Sequence, residues 1–542
     1  MKRKSPRWLS SAVFYQIYPP SFYDSNGDGI GDINGIIEKL DYVQSLGCNA
    51  IWLNPCFESP FRDGGYDISD YYKVAKRYGT NAELKRLFKV ADNRGIKVCL
   101  DLVPGHTSIE HPWFKQSCKT QKNKYSNYYI WTDDWTCSAG AGLNTVRGYA
   151  RRNGNYAANF FWSQPSLNYG FAHCDSDKPW QKPVDHPDCQ AVRKEMIKIM
   201  RYWLDMGAAG FRVDMAYSLV KNDKDCRQTT RLWSQVRSIL DRDYPEAALI
   251  AEWFNPAQAI KAGFHADFMD HPTYISLFRK ETGRSVDPRT DGTSIFARPG
   301  GDIMTFLDNY LDHYQQTKHL GYISIPTGNH DLPRISLGRT PKEIELVFAF
   351  ILTTPGVPFI YYGDEIGMKY LRNLPSKEGA YTRTGSRTPM QWSSARSAGF
   401  STATTDRLYL PIDPARNRPT VLAQQSNRNS LLNKVRTLIA LRREHPALSA
   451  DGRFVPIYAK ARKYPFVYLR TLAREKFLIA VNPTGKTVNV KFDTAHTETH
   501  PPKLKKPAEE PIITTVGVEL SCRPGCYRIK MPPTSYGIFK SF

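Results

Sequence analysis

No stretch of the 542 residues approaches the ~18–20 consecutive apolar residues that cross a bilayer, so no membrane-spanning helix and no membrane partner is expected. The N-terminal MKRKSPRWLSSAVFYQIYP is basic but lacks the apolar centre of a signal peptide. A cytoplasmic protein is expected, or a secreted or periplasmic one were a leader removed. Cysteine is scarce: ten in so long a chain are too few for a disulfide scaffold. Cys48 and Cys99 fall in or beside apolar runs, where a thiol packs as a small hydrophobe; Cys522 and Cys526 (CRPGC) could bridge. No Cys/His group has zinc-finger spacing, and no Asn-x-Ser/Thr has x other than Pro. Internal repeats and low-complexity tracts are absent. Charge of one sign is in excess, 74 Lys+Arg against 52 Asp+Glu, giving +22. Those cations are scattered, concentrating only at Lys2–Arg7 and Lys503–Lys506, with no nucleic-acid-binding signature beside them. Nucleic acid is not an expected partner; diffuse positive charge serves solubility.

What is present is a globular composition, 41% hydrophobic and 23% charged, in a recurring pattern. Strand-like runs stand at Val13–Tyr18, Ala50–Leu53, Ile96–Val103, Ala209–Met215, Ala248–Trp253, Tyr322–Ile325 and Val357–Tyr362. Helical spacing fills Ile33–Leu46, Ala191–Met206, Lys342–Leu352 and Leu431–Arg443. Strand and helix in alternation over some 400 residues predict an α/β fold with a closed (β/α)8 TIM barrel. The connection after the third strand is far longer than the ~2–6 residues of a βα loop and predicts an inserted domain. After Leu431–Arg443, short strands and Pro-rich turns predict a C-terminal all-β sandwich, with His496–Pro511 an exposed loop. The expected division is barrel 1–106, inserted domain 107–183, barrel 184–452 and C-terminal domain 453–542.

A TIM barrel carries its active site at the C-terminal strand ends. There the third strand gives Asp101 to His106, the fourth Arg212-Val-Asp214, the fifth Glu252, and the seventh His330-Asp331. Strand alternation puts Arg212 and Asp214 on one face. Two carboxyls with unequal tasks are what glycosidic cleavage needs, one ionised to attack the anomeric carbon and one protonated to release the leaving oxygen. Arg212 beside Asp214 is expected to keep that carboxylate ionised, and Trp253 and Phe254 beside Glu252 to raise its pKa. Asp214 is therefore read as nucleophile, Glu252 as acid/base and Asp331 as orienter of sugar hydroxyls.

These residues, with GDINGIIEKLDYVQSLG, DLVPGHTS, QPSLN, GFRVDMA, AEW, GNHD, PGVPFIYYGDEIGM and SRTPMQW in that order, resemble the α-amylase family of retaining glycoside hydrolases (GH13) over essentially the whole chain. The resemblance implies Asp214, Glu252 and Asp331 as catalytic triad. It implies Asp67, His106, Arg212 and His330 as ligands of the non-reducing-side sugar, Tyr66 stacking on its face, and Arg387 closing the pocket. QPSLN and SRTPMQW are closer to α-glucosidases and oligo-1,6-glucosidases than to endo-acting amylases; RTPMQWSSARSAGFS is also similar to the trehalose synthase branch. Gly105 stands where the family usually has an Asn that helps bind calcium between barrel and inserted domain, so that site is expected to be missing. Met215 after the nucleophile matches neither residue type associated with α-1,6 or α-1,4 preference, which leaves linkage open. The implied activity is hydrolysis of α-glucosidic bonds in oligosaccharides or disaccharides. The alternatives are a trehalose synthase-like isomerase or a transglucosylase on maltose or sucrose, and outside enzymes a binding or structural relative.

Asp24-x-Asn26-x-Asp28-Gly-Ile30-x-Asp32 spaces oxygen ligands as an EF-hand loop does, although Gly35 replaces its final Glu. The loop is expected to bind a structural Ca²⁺ through Asp24, Asn26, Asp28, the Ile30 carbonyl and Asp32, matching the metal loop of oligo-1,6-glucosidases; the plain alternative is a polar turn. Phe160-Phe161-Trp162 and Tyr128-Tyr129-Ile-Trp131 are expected mainly to fill the inserted domain's core, some of them lining the sugar cleft. His111, His265 and His271 are taken as structural.

Overall fold

In a computed structural model of the chain, residues 5–137, 140, 142–269, 296, 301–492, 511–523 and 526–541 are described. One sheet contains eight short parallel strands: β1 (Phe14–Ile17), β2 (Ala50–Leu53), β3 (Lys97–Leu102), β4 (Gly210–Val213), β5 (Ala248–Ala251), β6 (Ala266–Phe268), β7 (Tyr322–Ser324) and β8 (Phe359–Tyr361). From β1 to β7 each pairs with the next in chain order, and β8 pairs with β1, Phe14 opposite Phe359. A parallel bridge between Pro326 and Phe359 joins the remaining edges, so the sheet closes into the expected barrel. The strand missing from the sequence reading is β6, whose central residue, the buried Asp267, breaks the apolar run that marks the other strands.

Alternation sorts the strand residues into two layers. Phe14, Ala50, Trp52, Cys99, Ala248, Ile250, Ala266, Phe268 and Phe359 fill the barrel's interior. Tyr15, Ile51, Leu53, Leu100, Phe211, Val213 and Leu249 face the surrounding helices. Helices Pro187–Asp205, Pro341–Thr353 and Leu431–Glu444 cover three predicted segments. The single helix predicted over 33–46 is instead two, Ile33–Glu38 and Leu40–Leu46. They part at Lys39, whose ammonium is drawn over the Tyr23 ring at 3.8 Å and the Trp392 ring at 4.8 Å.

Between β3 and β4 lie helix Pro112–Ser117 and the hairpin of Asn144–Val146 with Tyr156–Ala158. Tyr128, Tyr129, Trp131 and Tyr156 are buried there with Phe114, whereas Phe160 and Trp162 are exposed, so the predicted aromatic core holds for one group only. Beyond the barrel, five antiparallel strands (Arg453–Lys460, Lys463–Leu472, Glu475–Asn482, Ile513–Thr514 and Ser535–Ser541) pack on three (Val488–Phe492, Glu519–Arg523 and Cys526–Met531) over a shared apolar core. Except for Pro511, the predicted loop at His496–Pro511 lies outside the described residues, as do His271 and the Cys522 side chain; Cys526 is a free thiol. No described helix is long and apolar enough to cross a membrane.

Candidate active site

Followed toward the C-terminal strand ends, the inward rows turn from apolar to polar. Phe14 gives way to Gln16, Trp52 to Asn54, Cys99 to Asp101, and Ile250 to Glu252, while β4 contributes Arg212 and then Asp214. Arg212, 2% exposed and lying over the Trp52 ring, collects three carboxylates. Its Nη1 donates to Asp101 Oδ1 at 2.9 Å and to Asp214 Oδ1 at 3.0 Å, and its Nη2 lies 2.5 Å from Glu252 Oε1. Met215 follows in the left-handed region, φ 41°, and its N–H donates to Glu252 Oε2 at 2.9 Å.

One guanidinium cannot balance three acids. Burial, and then the charge of Glu252, push the Asp214 carboxyl well above the usual carboxylate range against the pull of Arg212. Arg212 therefore does not hold Asp214 at the ordinary acidity expected of it in the free protein, and Glu252 faces that same cation rather than the apolar wall expected from its neighbours in the chain. The sequence neighbours Trp253 and Phe254 suggested otherwise because the decisive contact comes from β4. Trp253 and Asn255 instead donate their N–H groups to the buried Asp267, at 2.9 Å each, which fixes the backbone after Glu252.

Asp331 is the opposite case. Gln16 and Asn54 place amide nitrogens 3.1 and 3.2 Å from His330 Nδ1, so that nitrogen accepts and Nε2–H is left to donate to Asp331 Oδ2, 3.0 Å away. Although burial opposes it, His330 and then Arg383 hold the Asp331 carboxyl well below the usual range. Arg383 Nη1 and Arg387 Nη2 lie 2.7 and 3.1 Å from Asp331 Oδ1. Arg387 is buried behind it, with Nε on the His330 carbonyl; Arg383, which sequence reasoning missed, lines the cavity.

That cavity, about 480 Å³, is lined by Asp63, Tyr66, His106, Phe160, Phe161, Asp214, Met215, Glu252, His330, Asp331 and the turn Ala380–Arg383. Tyr66 and His330 stack at 5.2 Å on its floor, and Tyr66 Oη donates to Asp101. His106 lines it with both nitrogens engaged, one on the Tyr66 carbonyl and one accepting from Asn159; burial pushes it down to about 4, so it is neutral. Asp67 is not part of the lining: fully buried, it accepts from the N–H groups of Arg62 and Asp63 and from Ser59 Oγ. The acid brought into the cavity is Asp63, 3.3 Å from Arg383 Nη2. Gly64 and Gly65, at φ 54° and 101°, turn the chain between the two aspartates. Beside His106, buried Lys221 donates to the Ser218 carbonyl at 2.6 Å and to Asn159 Oδ1 at 3.3 Å, joining the inserted segment to the barrel. Of the other histidines, His111 caps helix Pro112–Ser117 and His265 accepts the Leu249 N–H, both structural contacts.

In the loop after β1, Asp24 Oδ1 accepts the Asn26 and Gly27 N–H groups, Asn26 that of Asp28, and Asp28 that of Ile30. Asp32 caps the following helix through the Gly35 N–H. The side chains therefore serve the loop's own amides, and among the described residues no three His, Cys, Asp or Glu side chains gather as metal ligands. The donor chemistry still suits a hard cation, since Asp24 and Asp32 are buried and among the described residues neither has a cationic side chain within ion-pair distance.

Comparison with known proteins matches this geometry to one family. Residues 16–451 fit the family description "Alpha amylase, catalytic domain". "Trehalose synthase/amylase TreS" of Mycobacterium tuberculosis is 34% identical over 492 residues, 82% of this chain and 77% of that protein. "Oligo-1,6-glucosidase" of Parageobacillus thermoglucosidasius is 31% identical over 537 residues, 89% and 91% of the two. Among solved structures, an isomaltulose synthase variant from Erwinia rhapontici NX5, in complex with its natural substrate sucrose, superposes with a TM-score of 0.78 at 26% identity, covering 99% of each chain. The chain belongs to the alpha-amylase family, GH13, whose members act on α-glucosides.

Proposed function

We propose that the protein cleaves α-glucosidic bonds of a disaccharide or short oligosaccharide from the non-reducing end, with retention, through a glucosyl group carried on Asp214. The observation that supports this best is one cavity lined by Asp214 and Glu252 together, in which Asp63, Arg383 and Asp331 offer paired hydrogen-bonding groups for one sugar's hydroxyls. Burial and then the charge of Glu252 disfavour ionising Asp214 in the free protein, so that carboxyl keeps its proton above the usual carboxylate range. With substrate bound, that proton sits on Glu252 and passes to the leaving oxygen as Asp214 attacks the anomeric carbon. Water, deprotonated by Glu252, then releases the glucose. Arg212 holds Asp214 Oδ1 in position throughout.

A second reading, isomerisation of a disaccharide as in trehalose synthases, draws support from the 34% identity to TreS. Product analysis on maltose, isomaltose, sucrose and trehalose separates the two: free glucose alone marks the hydrolase, a rearranged disaccharide the isomerase. Neither free glucose nor a rearranged disaccharide from any of the four refutes both. The loop Asp24–Asp32 is proposed as a structural calcium site, with the Ile30 carbonyl and Asn26 completing the oxygens; its role is to stabilise the fold beside β1.

A further inference from the structure

We infer that Asp267 is the positioning residue of the acid/base: from β6 it holds the turn that follows Glu252, and so sets where the proton of Glu252 meets the leaving oxygen. The inference rests on Glu252 acting as described above.

The need for such a residue follows from where the sheet ends. Toward β4 the backbone of Glu252 is secured twice. Its N–H donates to the Val213 carbonyl and its own carbonyl accepts the Ala216 N–H, each at 3.0 Å. Toward β6 the ladder stops one residue short of it: Ala266 pairs with Ile250 and Asp267 with Ala251. Trp253 and Asn255 therefore leave β5 with N–H groups that no strand accepts, and such groups must find another partner.

The side chain of Asp267 takes over from the ladder. Its Oδ1 accepts the Trp253 N–H and its Oδ2 the Asn255 N–H, both at 2.9 Å. Between them Phe254 is left-handed, φ 60°, a conformation that a bulky residue keeps only where the chain around it is held. Asn255 in turn caps helix Pro256–Ala262, its Oδ1 accepting the Gln258 N–H at 3.1 Å. One carboxyl thus fixes the passage from the strand end to the next helix.

The surroundings of Asp267 argue against a space-filling role. It is fully buried, and among the described residues no cationic side chain lies within ion-pair distance of it. Burial pushes this carboxyl well above the usual range, and the Trp253 and Asn255 N–H groups pull it back. An acid buried without a cation is costly, and its return here is two bonds. A carboxyl offers one oxygen to each donor, where an amide or a hydroxyl would offer one in all. Nor does it touch substrate. Its neighbours Ala266 and Phe268 point into the barrel, so Asp267 points toward the helices, and it does not line the cavity. Its influence reaches the reaction only through the backbone of Glu252. A reacting group misplaced by about 1 Å loses on the order of 100-fold in rate.

The test compares kcat/KM on maltose, or whichever of the four disaccharides above is cleaved, with kcat/KM on α-glucosyl fluoride. Fluoride departs with far less help from a proton than a sugar does, and kcat/KM covers the step in which Glu252 gives its proton. Asp267→Asn keeps the shape of the side chain but turns an NH2 group toward one of the two N–H donors. It is expected to lose at least ten-fold more on the disaccharide than on the fluoride. In a Glu252→Gln background the same change should cost less than two-fold further on the disaccharide, since no proton remains to be positioned. Should the asparagine variant not fold, Asp267→Ser, which sets no NH2 against the turn, is compared in the same way. Equal losses on the two substrates, no loss on either, or full additivity with Glu252→Gln overturns the inference, because the turn then matters to the fold alone. Glu252→Gln losing no more on the disaccharide than on the fluoride overturns instead the reading of Glu252 on which it rests.

Discussion

Glu365, just after β8, offers a stability prediction whose size follows from its surroundings. It is fully buried; Oε1 accepts from Tyr15 Oη at 2.8 Å and Tyr42 Oη at 2.6 Å, while Oε2 has no hydrogen-bond partner. Burial outweighs the two tyrosines and pushes the carboxyl up to about 7 from an ordinary 4.5. A raised acid binds its proton more tightly folded than unfolded, so its contribution is most favourable below pH 4.5 and is lost as the pH rises through 7. The shift is about 2.5 units, worth about 3 kcal/mol once complete. Glu365→Gln keeps an acceptor for the tyrosines and removes the titration. The variant should therefore lose less stability than wild type between pH 5 and 8, by about 2–3 kcal/mol. Denaturant unfolding of both proteins at the two pH values measures this. Parallel pH dependences in wild type and variant would refute the reasoning, since Glu365 would then ionise without penalty.

Three other outcomes are expected. Asp214→Asn should lower kcat by several orders of magnitude yet melt above wild type at pH 8, the gap closing as the pH falls toward about 4, because burial and Glu252 make ionising Asp214 costly; scanning calorimetry at both pH values decides it. Asp63→Asn should cut kcat/KM at least ten-fold, whereas Asp67→Asn, outside the cavity, should change the melting temperature more than the kinetics. Chelation should lower the melting temperature with less effect on turnover in the cold, and Asp28→Ala should abolish the response to added Ca²⁺; identical melting of stripped protein with and without millimolar Ca²⁺ would dispose of that site.

The barrel was legible because seven of its strands are apolar runs set between helical stretches, and within each the two-residue period fixes which side chains point inward. The acids at the strand ends were legible for the same reason: Asp101, Asp214 and Glu252 continue inward rows that begin with Cys99, Arg212 and Ile250. Loops gave less. Between Asp63 and Asp67 spacing could not choose, since two left-handed glycines decide which faces the cavity. Arg383 arrives from a 3-10 turn with no periodicity to mark its direction. Acidity was least legible, because Asp214 is governed by burial and by the charge of Glu252 on the neighbouring strand more than by Arg212 beside it in the chain.

Lys221 gives the joint between insert and barrel an ion that is part of the polypeptide. Such an ion cannot be chelated, diluted away or exchanged for a competitor, so the joint beside His106 should be indifferent to the ionic composition of its surroundings. Its weakness is of another kind. Burial lowers the ammonium to about 8, and a mildly alkaline medium would discharge it in place. The wall of the cavity nearest Asn159 should then loosen with pH alone, at constant metal content.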